Sequence, residues 1–499
     1  MNQIKIDPKR TMGDIDRNIF GGFVEHLGRC IYGGIYEPSS SLADNDGQRT
    51  DVIAALRRLG LQVIRYPGGN FASGYHWMDG VGPRDKRPMR RELAWHTIET
   101  NQFGTNEFIQ FCRKLNSEPY IVVNCGDGDM REAADWVEYC NGIQDTSLVR
   151  LRHKHGFEEP HRVQYWGIGN EVDGPWQIGY KTPLEYARAF TEFAKVMKLV
   201  DRKIKLIAAA VSSWNEGWVE RSSLLMEQAP NLIDYMAIHW YVTNLNSDFS
   251  QYMTLSELFE ERLSSYEGLI RATRLERKIE RPIAIAVDEW GVWNYTPDQY
   301  RRYKAGEISI QNAHEQVYNL EDALVVAMQL NAFIRHAYSV KMANSAQIVN
   351  VLAPILTRED SLVLQTIFYP FELYNRTCGQ KALDIWWEGE TFAGGKYTGI
   401  RTLDVTATLD DYRKQLVVYV VNRSLKEPME TTIQLTSARF AGTIHAFVVN
   451  ASDIKAENTF ASPNVVGTNE NTLMVKGQSL VYTFEPHSVT ALVCALSRA

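Results

Sequence analysis

The sequence predicts an α/β fold: a (β/α)8 barrel with a C-terminal antiparallel β-sandwich that is jelly-roll-like and joined by the N-terminal strand. Between residues 18 and 377, eight short apolar runs alternate with helical patterns. After about residue 380, short alternating strands separated by turn residues replace that pattern. We therefore expect a barrel at residues 18–377 and a sandwich built from residues 1–17 together with 378–499.

The eight apolar runs are the predicted barrel strands. Strands this apolar suit a parallel sheet that is covered on both faces. The runs are Phe20–Glu25, Val63–Tyr66, Tyr120–Asn124, Val163–Ile168, Leu206–Val211, Tyr235–Trp240, Ile283–Val287 and Ala346–Val351. A doubly wound sheet is the alternative, but no glycine-rich phosphate-binding fingerprint follows the first run.

Helix signals lie between these runs. Thr182-Pro183-Leu184-Glu185 predicts a helix start, because Thr suits the cap, Pro the first turn and Glu the capping-box position. Apolar residues then recur on one helical face, at Leu184, Ala187, Phe190, Ala194 and Met197.

The predicted sandwich strands have a different pattern. Its clearest runs are Gln415–Val421, Thr431–Leu435 and Val481–Phe484, each bounded by turn residues. Ile4 and Ile6 alternate in the same way, so we expect the N-terminal segment to cross over and join the sandwich. We expect this domain to act as a structural cap, although a carbohydrate-binding module would give a similar pattern.

Composition narrows the class of protein. A net charge of -7 argues against nucleic acid or an anionic membrane as the main partner. No secretory signal is visible, and no run approaches the ~18 apolar residues of a membrane span. The six cysteines show no zinc-binding spacing and are typical of free thiols in a reducing compartment. We therefore expect a cytoplasmic protein with no nucleic-acid or membrane partner and no cofactor.

Two glutamates are the most informative residues. Glu171 follows the apolar run that ends at Ile168, and Glu289 follows the run that ends at Val287. A carboxylate is costly beside buried apolar backbone unless it is paired, solvated or used. On separate strands of one barrel they would face each other across its mouth, as glycoside hydrolysis requires of a proton donor and a nucleophile or base.

Other polar residues recur at the same ends of the predicted strands, where barrel enzymes carry their catalytic groups. They are Glu25, Arg65, Asn70, Asn170, His239, Tyr241 and Gln347, the last of which is expected to open the eighth strand.

Several motifs resemble family 51 of the glycoside hydrolases, the α-L-arabinofuranosidases. They are Phe23-Val24-Glu25-His26-Leu27-Gly28-Arg29, Arg65-Tyr66-Pro67-Gly68-Gly69-Asn70-Phe71, Glu99-Thr100-Asn101-Gln102-Phe103-Gly104, Trp166-Gly167-Ile168-Gly169-Asn170-Glu171-Val172-Asp173-Gly174-Pro175-Trp176, Ile238-His239-Trp240-Tyr241 and Asp288-Glu289-Trp290-Gly291. The resemblance runs from the first predicted strand to the eighth, and the predicted sandwich matches the family's layout. It implies an exo-acting, retaining hydrolase of arabinan- or arabinoxylan-derived oligosaccharides, without a metal ion.

The resemblance also implies individual roles. Glu171 would be the general acid/base and Glu289 the nucleophile. Glu25, Asn70 and Gln347 match positions that bind the furanose hydroxyls. Asn170 can hold the sugar 2-hydroxyl, and Tyr241 can donate to the Glu289 carboxylate.

Further residues are expected to support these roles. Arg65 is either a partner of the nucleophile or a structural ion-pair residue, and the two are compatible. His239 is expected to tune the charges without transferring protons, and Trp95 to wall the pocket. Trp176 and Trp293 would line the side of the leaving group. Asp127 and Asp129 stand where small hydroxyl residues are expected, which leaves leaving-group preference open.

Other function classes remain. A β-xylosidase or endo-β-glycanase could use the same two carboxylates on this scaffold. A metal-dependent barrel hydrolase predicts clustered histidines at the strand ends, whereas the first run offers only His26. A non-catalytic carbohydrate-binding protein would have no use for two mutually repelling carboxylates. The family resemblance further implies a homo-oligomer, often a hexamer.

Overall fold

The computed structural model describes residues 2–244, 246–294, 298, 301–302, 305–307 and 314–498. Its strands are β1 (Asn2–Asp14), β2 (Gly21–Phe23), β3 (Val63–Tyr66), β4 (Arg90–Arg91), β5 (Ile98–Glu99), β6 (Glu118–Val123), β7 (Tyr165–Ile168), β8 (Lys205–Val211), β9 (Tyr235–Val242), β10 (Ala284–Val292), β11 (Val340–Ala346), β12 (Ile355–Arg358), β13 (Ser361–Leu364), β14 (Lys381–Glu388), β15 (Thr391–Gly394), β16 (Tyr397–Arg401), β17 (Leu403–Asp410), β18 (Gln415–Asn422), β19 (Met429–Leu435), β20 (Ala438–Asn450), β21 (Gly467–Gly477), β22 (Ser479–Phe484) and β23 (Ser488–Arg498).

The α-helices of the described residues are α1 (Thr50–Leu59), α2 (Thr105–Leu115), α3 (Met130–Asn141), α4 (Ser147–Lys154), α5 (Pro183–Val200), α6 (Trp218–Gln228), α7 (Phe249–Met253), α8 (Leu255–Glu276), α9 (Leu320–Arg335) and α10 (Phe368–Thr377). Short 3-10 helices cover Arg17–Phe20, Asn70–Gly74, Trp77–Gly80 and Arg84–Lys86. None of the helices described is both long and apolar enough to cross a membrane.

A closed parallel barrel forms in the order β10-β11-β2-β3-β6-β7-β8-β9, which confirms the predicted fold class. Successive side chains of a strand point to opposite faces, so every second residue faces the barrel interior. The interior side chains form a packed cluster that includes Val63, Tyr120, Val122, Ile207, Ala237 and Met342. Because the interior is filled, a ligand must bind at the end of the barrel, where the strand ends carry polar residues.

Two sequence predictions for the barrel were wrong in detail. The eighth strand is Val340–Ala346, so Gln347 follows that strand instead of opening it. Ile348 and Val349 are fully buried in the following loop. A buried apolar loop gives the same short apolar run as a strand, and periodicity cannot separate them. On helix α5, the Thr182–Glu185 capping box forms as predicted, but Leu184 is 42% exposed.

Strand β10 contains an irregularity that matters for the site. Its Ala286 lies opposite Ala237 of β9, but Glu289 lies opposite His239. Three residues of β10 therefore span two of β9, which is the geometry of a β-bulge. The bulge interrupts the usual alternation, and the consecutive residues Asp288 and Glu289 both lie against Arg65 and His239.

The C-terminal strands form a nine-stranded sheet, mostly antiparallel, in the order β21-β20-β23-β18-β17-β14-β1-β19-β22. Strand β1 lies within it, antiparallel to β14 and parallel to β19. Ile4 and Ile6 are fully buried in the core of this domain. An ion pair of 2.9 Å between Arg335 of α9 and Asp404 of β17 joins it to the barrel. The division at residues 17/18 and 377/378 stays a prediction.

Candidate active site

The carboxyl ends of the barrel strands bring the predicted site residues together. Glu25 follows β2, Arg65 lies in β3, Asn170 and Glu171 follow β7, His239 and Tyr241 lie in β9, Glu289 lies in β10, and Gln347 follows β11. Parallel strands of a closed barrel end on one face, so these side chains converge although they are far apart in sequence.

Glu171, His239 and Glu289 form the centre of the site. One nitrogen or oxygen atom from each lies within 4.8 Å of the other two. His239 Nδ1 is 2.9 Å from Glu171 Oε1 and 3.4 Å from Glu289 Oε2. The imidazole therefore stands between the two carboxylates and weakens their mutual repulsion when it is protonated.

The Glu289 carboxylate is held by two fixed donors. Arg65 Nη1 donates to Oε1 at 2.5 Å, and the Tyr241 hydroxyl donates to Oε2 at 2.9 Å. Arg65 and Glu289 are buried, at 1% and 5% exposed, whereas Tyr241 is partly exposed. Charge-assisted hydrogen bonds of this kind both orient a carboxylate and compensate its charge.

Asn170 is fixed by the same arginine. Arg65 Nη2 donates to Asn170 Oδ1 at 2.6 Å, which turns the amide nitrogen the other way. Asn170 is 1% exposed, and its Nδ2 has no hydrogen-bond partner within the part of the chain that the structure describes. A buried donor without a partner is costly, and a ligand oxygen would satisfy it.

Glu25 follows β2, the neighbour of β3 in the barrel, and its carboxyl accepts three donors. The Phe71 amide and Trp95 Nε1 both donate to Oε1 at 3.0 Å, and Gln347 Nε2 donates to Oε2 at 3.1 Å. Burial raises the pKa of Glu25 to about 7, helped by the nearby Glu289 charge. The Glu25 carboxyl can therefore donate or accept near neutral pH, as recognition of hydroxyl groups requires.

Asn70 opens the 3-10 helix between these two groups of residues. The preceding Gly69 lies so close that a Cβ there would be 3.1 Å from Glu289 Oε1. The following Phe71 donates its amide to Glu25. Asn70 is therefore placed at the rim between the Glu289 and Glu25 sides.

Asp288 is a part of the site that strand alternation did not predict. Its carboxylate accepts from the Tyr120 hydroxyl at 2.9 Å, lies 3.2 Å from His239 Nε2 and 3.6 Å from Arg65 Nε. Burial opposes its charge, but Arg65, His239 and Tyr120 together lower the pKa of Asp288. Burial likewise opposes a charged His239, yet Glu289, Asp288 and Glu171 outweigh it and raise its pKa well above the usual value.

The central cluster has the spacing of a metal site, but its charges do not suit a metal ion. Arg65 donates to Glu289 at 2.5 Å, so the guanidinium already pairs with that carboxylate and would repel a metal cation there. Protonated His239 offers no lone pair to a metal, because both nitrogens carry hydrogen. Arg65 and protonated His239 therefore compensate the negative charges of the site without a metal ion.

Comparisons with known proteins show to which family the chain belongs. Residues 55–258 match the α-L-arabinofuranosidase 1 domain and residues 288–488 the α-L-arabinofuranosidase C-terminal domain. The chain is 40% identical to the probable α-L-arabinofuranosidase C of Aspergillus clavatus, over 98% of this chain and 96% of that protein. It belongs to the family 51 α-L-arabinofuranosidases.

Two further relatives of this family 51 glycoside hydrolase cover nearly the whole chain. The intracellular exo-α-(1→5)-L-arabinofuranosidase 1 of Bacillus subtilis is 36% identical, over 97% of each chain. The crystal structure of an α-L-arabinofuranosidase from Thermotoga maritima, in complex with arabinose, superposes with a TM-score of 0.89 at 36% identity. That superposition covers 99% of each chain.

The remaining predicted residues lie at the rim of this glycosidase site. Trp95 donates to Glu25, and Trp293 packs edge-on against Tyr241 with ring centres 5.6 Å apart. Trp176 donates to Glu171 Oε2 at 2.7 Å, a contact that sequence reasoning did not anticipate. The sequence signal for Trp176 was its place at the end of the motif that begins at Trp166, five residues after Glu171.

The two loop acids have separate surroundings. Asp129 caps helix α3 by accepting from the Glu132 amide at 2.9 Å, which gives it a structural role. Asp127 accepts from Asn124 Nδ2 at 2.7 Å and lies 3.7 Å from His76 Nε2. An effect of Asp127 on leaving-group preference stays a prediction.

Proposed function

We propose that this arabinofuranosidase is exo-acting and retaining, with Glu171 as acid/base and Glu289 as nucleophile. The observation that carries the proposal is the closeness of the two carboxylates, which have oxygen atoms within 4.8 Å of each other. Retaining glycosidases place the two carboxyl groups ~5–5.5 Å apart, whereas inverting enzymes need ~6.5–9.5 Å to admit a water molecule.

In the first step, a Glu289 oxygen attacks the anomeric carbon while Glu171 gives its proton to the departing glycosidic oxygen. The bond to the leaving group breaks, and a glycosyl ester of Glu289 forms. In the second step, Glu171 takes a proton from water, which attacks the anomeric carbon and releases arabinose and the free Glu289 carboxylate. Both displacements invert the anomeric centre, so the overall configuration is retained.

The surrounding residues support this assignment of roles. Arg65 and Tyr241 hold the Glu289 carboxylate in one orientation for attack. The free amide nitrogen of Asn170 suits the sugar 2-hydroxyl, a contact that strengthens in an oxocarbenium-like transition state. Glu25, Asn70 and Gln347 would bind the remaining furanose hydroxyls, with Trp95 as a wall.

The substrate we propose is a terminal non-reducing α-L-arabinofuranosyl unit on an arabinan- or arabinoxylan-derived oligosaccharide. The Bacillus subtilis relative is named as an intracellular exo-enzyme for α-(1→5) linkages, and its likeness spans the full chain. By the same likeness, we propose a cytoplasmic location and short, imported substrates. A homo-oligomer, on the family's hexameric pattern, belongs to the same proposal.

The first test is release of 4-nitrophenol from its α-L-arabinofuranoside by wild type, Glu289→Ala and Glu171→Ala. We expect Glu289→Ala to lose ~10³-fold or more in rate, because no ester can form. Since this leaving group needs little protonation, Glu171→Ala should form the ester, hydrolyse it slowly and be accelerated by azide.

Other outcomes would redirect the proposal. Wild-type turnover of a β-xyloside or β-glucan, with none of the arabinofuranoside, would keep the two carboxylates and refute the sugar. Loss of activity with a chelator, restored by a metal ion, would contradict the metal-free mechanism.

Size-exclusion chromatography with light scattering tests the oligomer. Deleting residues 378–499 should leave insoluble protein, and a soluble active barrel would refute the structural-cap role.

A further inference from the structure

Trp176 contacts the acid/base directly, and no role described so far accounts for it. Its indole Nε1 donates to Glu171 Oε2 at 2.7 Å. The other oxygen, Oε1, faces His239 Nδ1 at 2.9 Å. The two oxygens of Glu171 therefore have different neighbours, which makes them chemically distinct.

The loop after β7 is shaped to deliver this indole. Glu171 has a φ of 43°, and the Gly174 amide donates back to the Glu171 carbonyl at 2.8 Å. A Cβ on Gly174 would lie only 2.4 Å from the Trp176 ring. The absence of a side chain at Gly174 thus lets the indole fold back over the turn and reach Glu171.

The burial of Trp176 argues against a packing role. The indole is 51% exposed, whereas Trp166 and Trp290 are at most 1% exposed in the barrel. A tryptophan that stabilises a fold normally buries its ring. Trp176 instead leaves about half of its ring in solvent and uses its one polar atom on a catalytic carboxylate.

An indole N–H can donate but cannot accept, so Oε2 must act as an acceptor while this bond is kept. With His239 Nδ1 2.9 Å from Oε1, the Trp176 bond to Oε2 fixes the plane in which the Glu171 carboxyl lies. We propose that Trp176 is a positioning residue, which holds the Glu171 carboxyl in the orientation that delivers its proton to the departing glycosidic oxygen. This inference rests on the acid/base role proposed for Glu171.

The effect of losing the Trp176 bond should depend on the leaving group of the substrate. An alkoxide needs protonation as it departs, but 4-nitrophenolate needs little. Loss of the Trp176 bond should therefore slow the first chemical step only for poor leaving groups. Because kcat/KM reports the steps up to formation of the glycosyl ester, it is the parameter to compare.

The test compares kcat/KM for the 4-nitrophenyl and methyl α-L-arabinofuranosides in wild type and Trp176→Phe. The methyl glycoside has a poor leaving group that is too small to stack on the ring. We expect Trp176→Phe to lose roughly 10- to 100-fold on the methyl glycoside and less than ~3-fold on the nitrophenyl glycoside. Trp386→Phe, which alters a 44% exposed indole on the sandwich, is the matched control and should change neither rate.

Gly174→Ala is a second variant that leaves Trp176 in place but pushes its indole away, and it should show the same selective loss. Adding Trp176→Phe to Glu171→Ala should cost nothing further, because the tryptophan acts through that carboxylate. Equal losses on both glycosides, no loss on the methyl glycoside, or an additive loss in the double variant would overturn the inference. A wild type inactive on both glycosides would instead refute the proposed function.

Discussion

Replacing Glu25 with glutamine should give a variant whose stability, compared with that of wild type at the same pH, increases as the pH rises. Burial raises the pKa of Glu25 from its usual value of 4.5 to about 7. The folded chain therefore binds this proton more tightly than the unfolded chain, so the free energy of unfolding falls as pH rises from 4.5 to about 7. At about 1.4 kcal/mol per pKa unit, this fall amounts to about 3 kcal/mol.

Glutamine resembles protonated Glu25 but does not titrate. Its carbonyl can accept from the Phe71 amide and Trp95 Nε1, as Glu25 Oε1 does. The Gln347 amide can turn over, so that its carbonyl accepts from the new side chain. The variant should thus keep the folded contacts without the penalty of burying a charge.

The expected signal is measurable. An unfolding entropy of ~2.1 cal/mol/K per residue gives about 1 kcal/mol/K for a chain of 499 residues, so about 3 kcal/mol corresponds to roughly 3 °C. The assay is the melting temperature of wild type and Glu25→Gln between pH 5 and 8 at one salt concentration. Glu388→Gln, at an exposed carboxylate, is the control. A difference between Glu25→Gln and wild type that does not change with pH would refute this reasoning.

Three further substitutions test the charge network. Asp288→Asn should destabilise the fold by about 3–5 kcal/mol, because Arg65 and His239 lose a buried partner, and thermal melts would measure this loss. The same substitution should lower the pKa of His239, which NMR titration of the imidazole would measure. Arg65→Lys should lower kcat/KM by ~10²-fold, since one ammonium cannot replace a planar guanidinium that bridges two acceptors; near-wild-type kinetics would refute its orienting role. Tyr241→Phe should lower kcat ~10-fold or more with little change in melting temperature, because Glu289 loses an orienting donor, and an unaltered kcat would contradict that.

The barrel could be predicted from sequence because its strands are short, strongly apolar and regularly spaced. Helix α5 could be predicted from Thr182 and Glu185, whose capping box depends on local chemistry alone. The eighth strand could not be placed, because Ile348 and Val349 are as buried in a loop as they would be in a strand. An apolar run indicates that a segment is buried but not that it is a strand. Pairing with β2 and β10 decides that Val340–Ala346, and not the run after it, forms the eighth strand.

The site residues could be brought together from sequence because catalytic groups of a barrel lie at one end of its strands. The contribution of Asp288 could not be predicted, since alternation places it on the face opposite to Glu289. The bulge in β10 exists only through pairing with β9, where Glu289 falls opposite His239. The bond from Trp176 to Glu171 likewise depends on how the loop folds back at Gly174, which residue types alone do not reveal.

The proposed mechanism requires that Glu289 forms a covalent ester with the sugar while Glu171 serves as acid and base. The most direct measurement is intact-mass and peptide-map mass spectrometry of Glu171→Ala mixed with 4-nitrophenyl α-L-arabinofuranoside. One arabinosyl unit should accumulate on the peptide that contains Glu289, and azide should remove it. Burst release of 4-nitrophenol without any adduct, or an adduct on another residue, would contradict it.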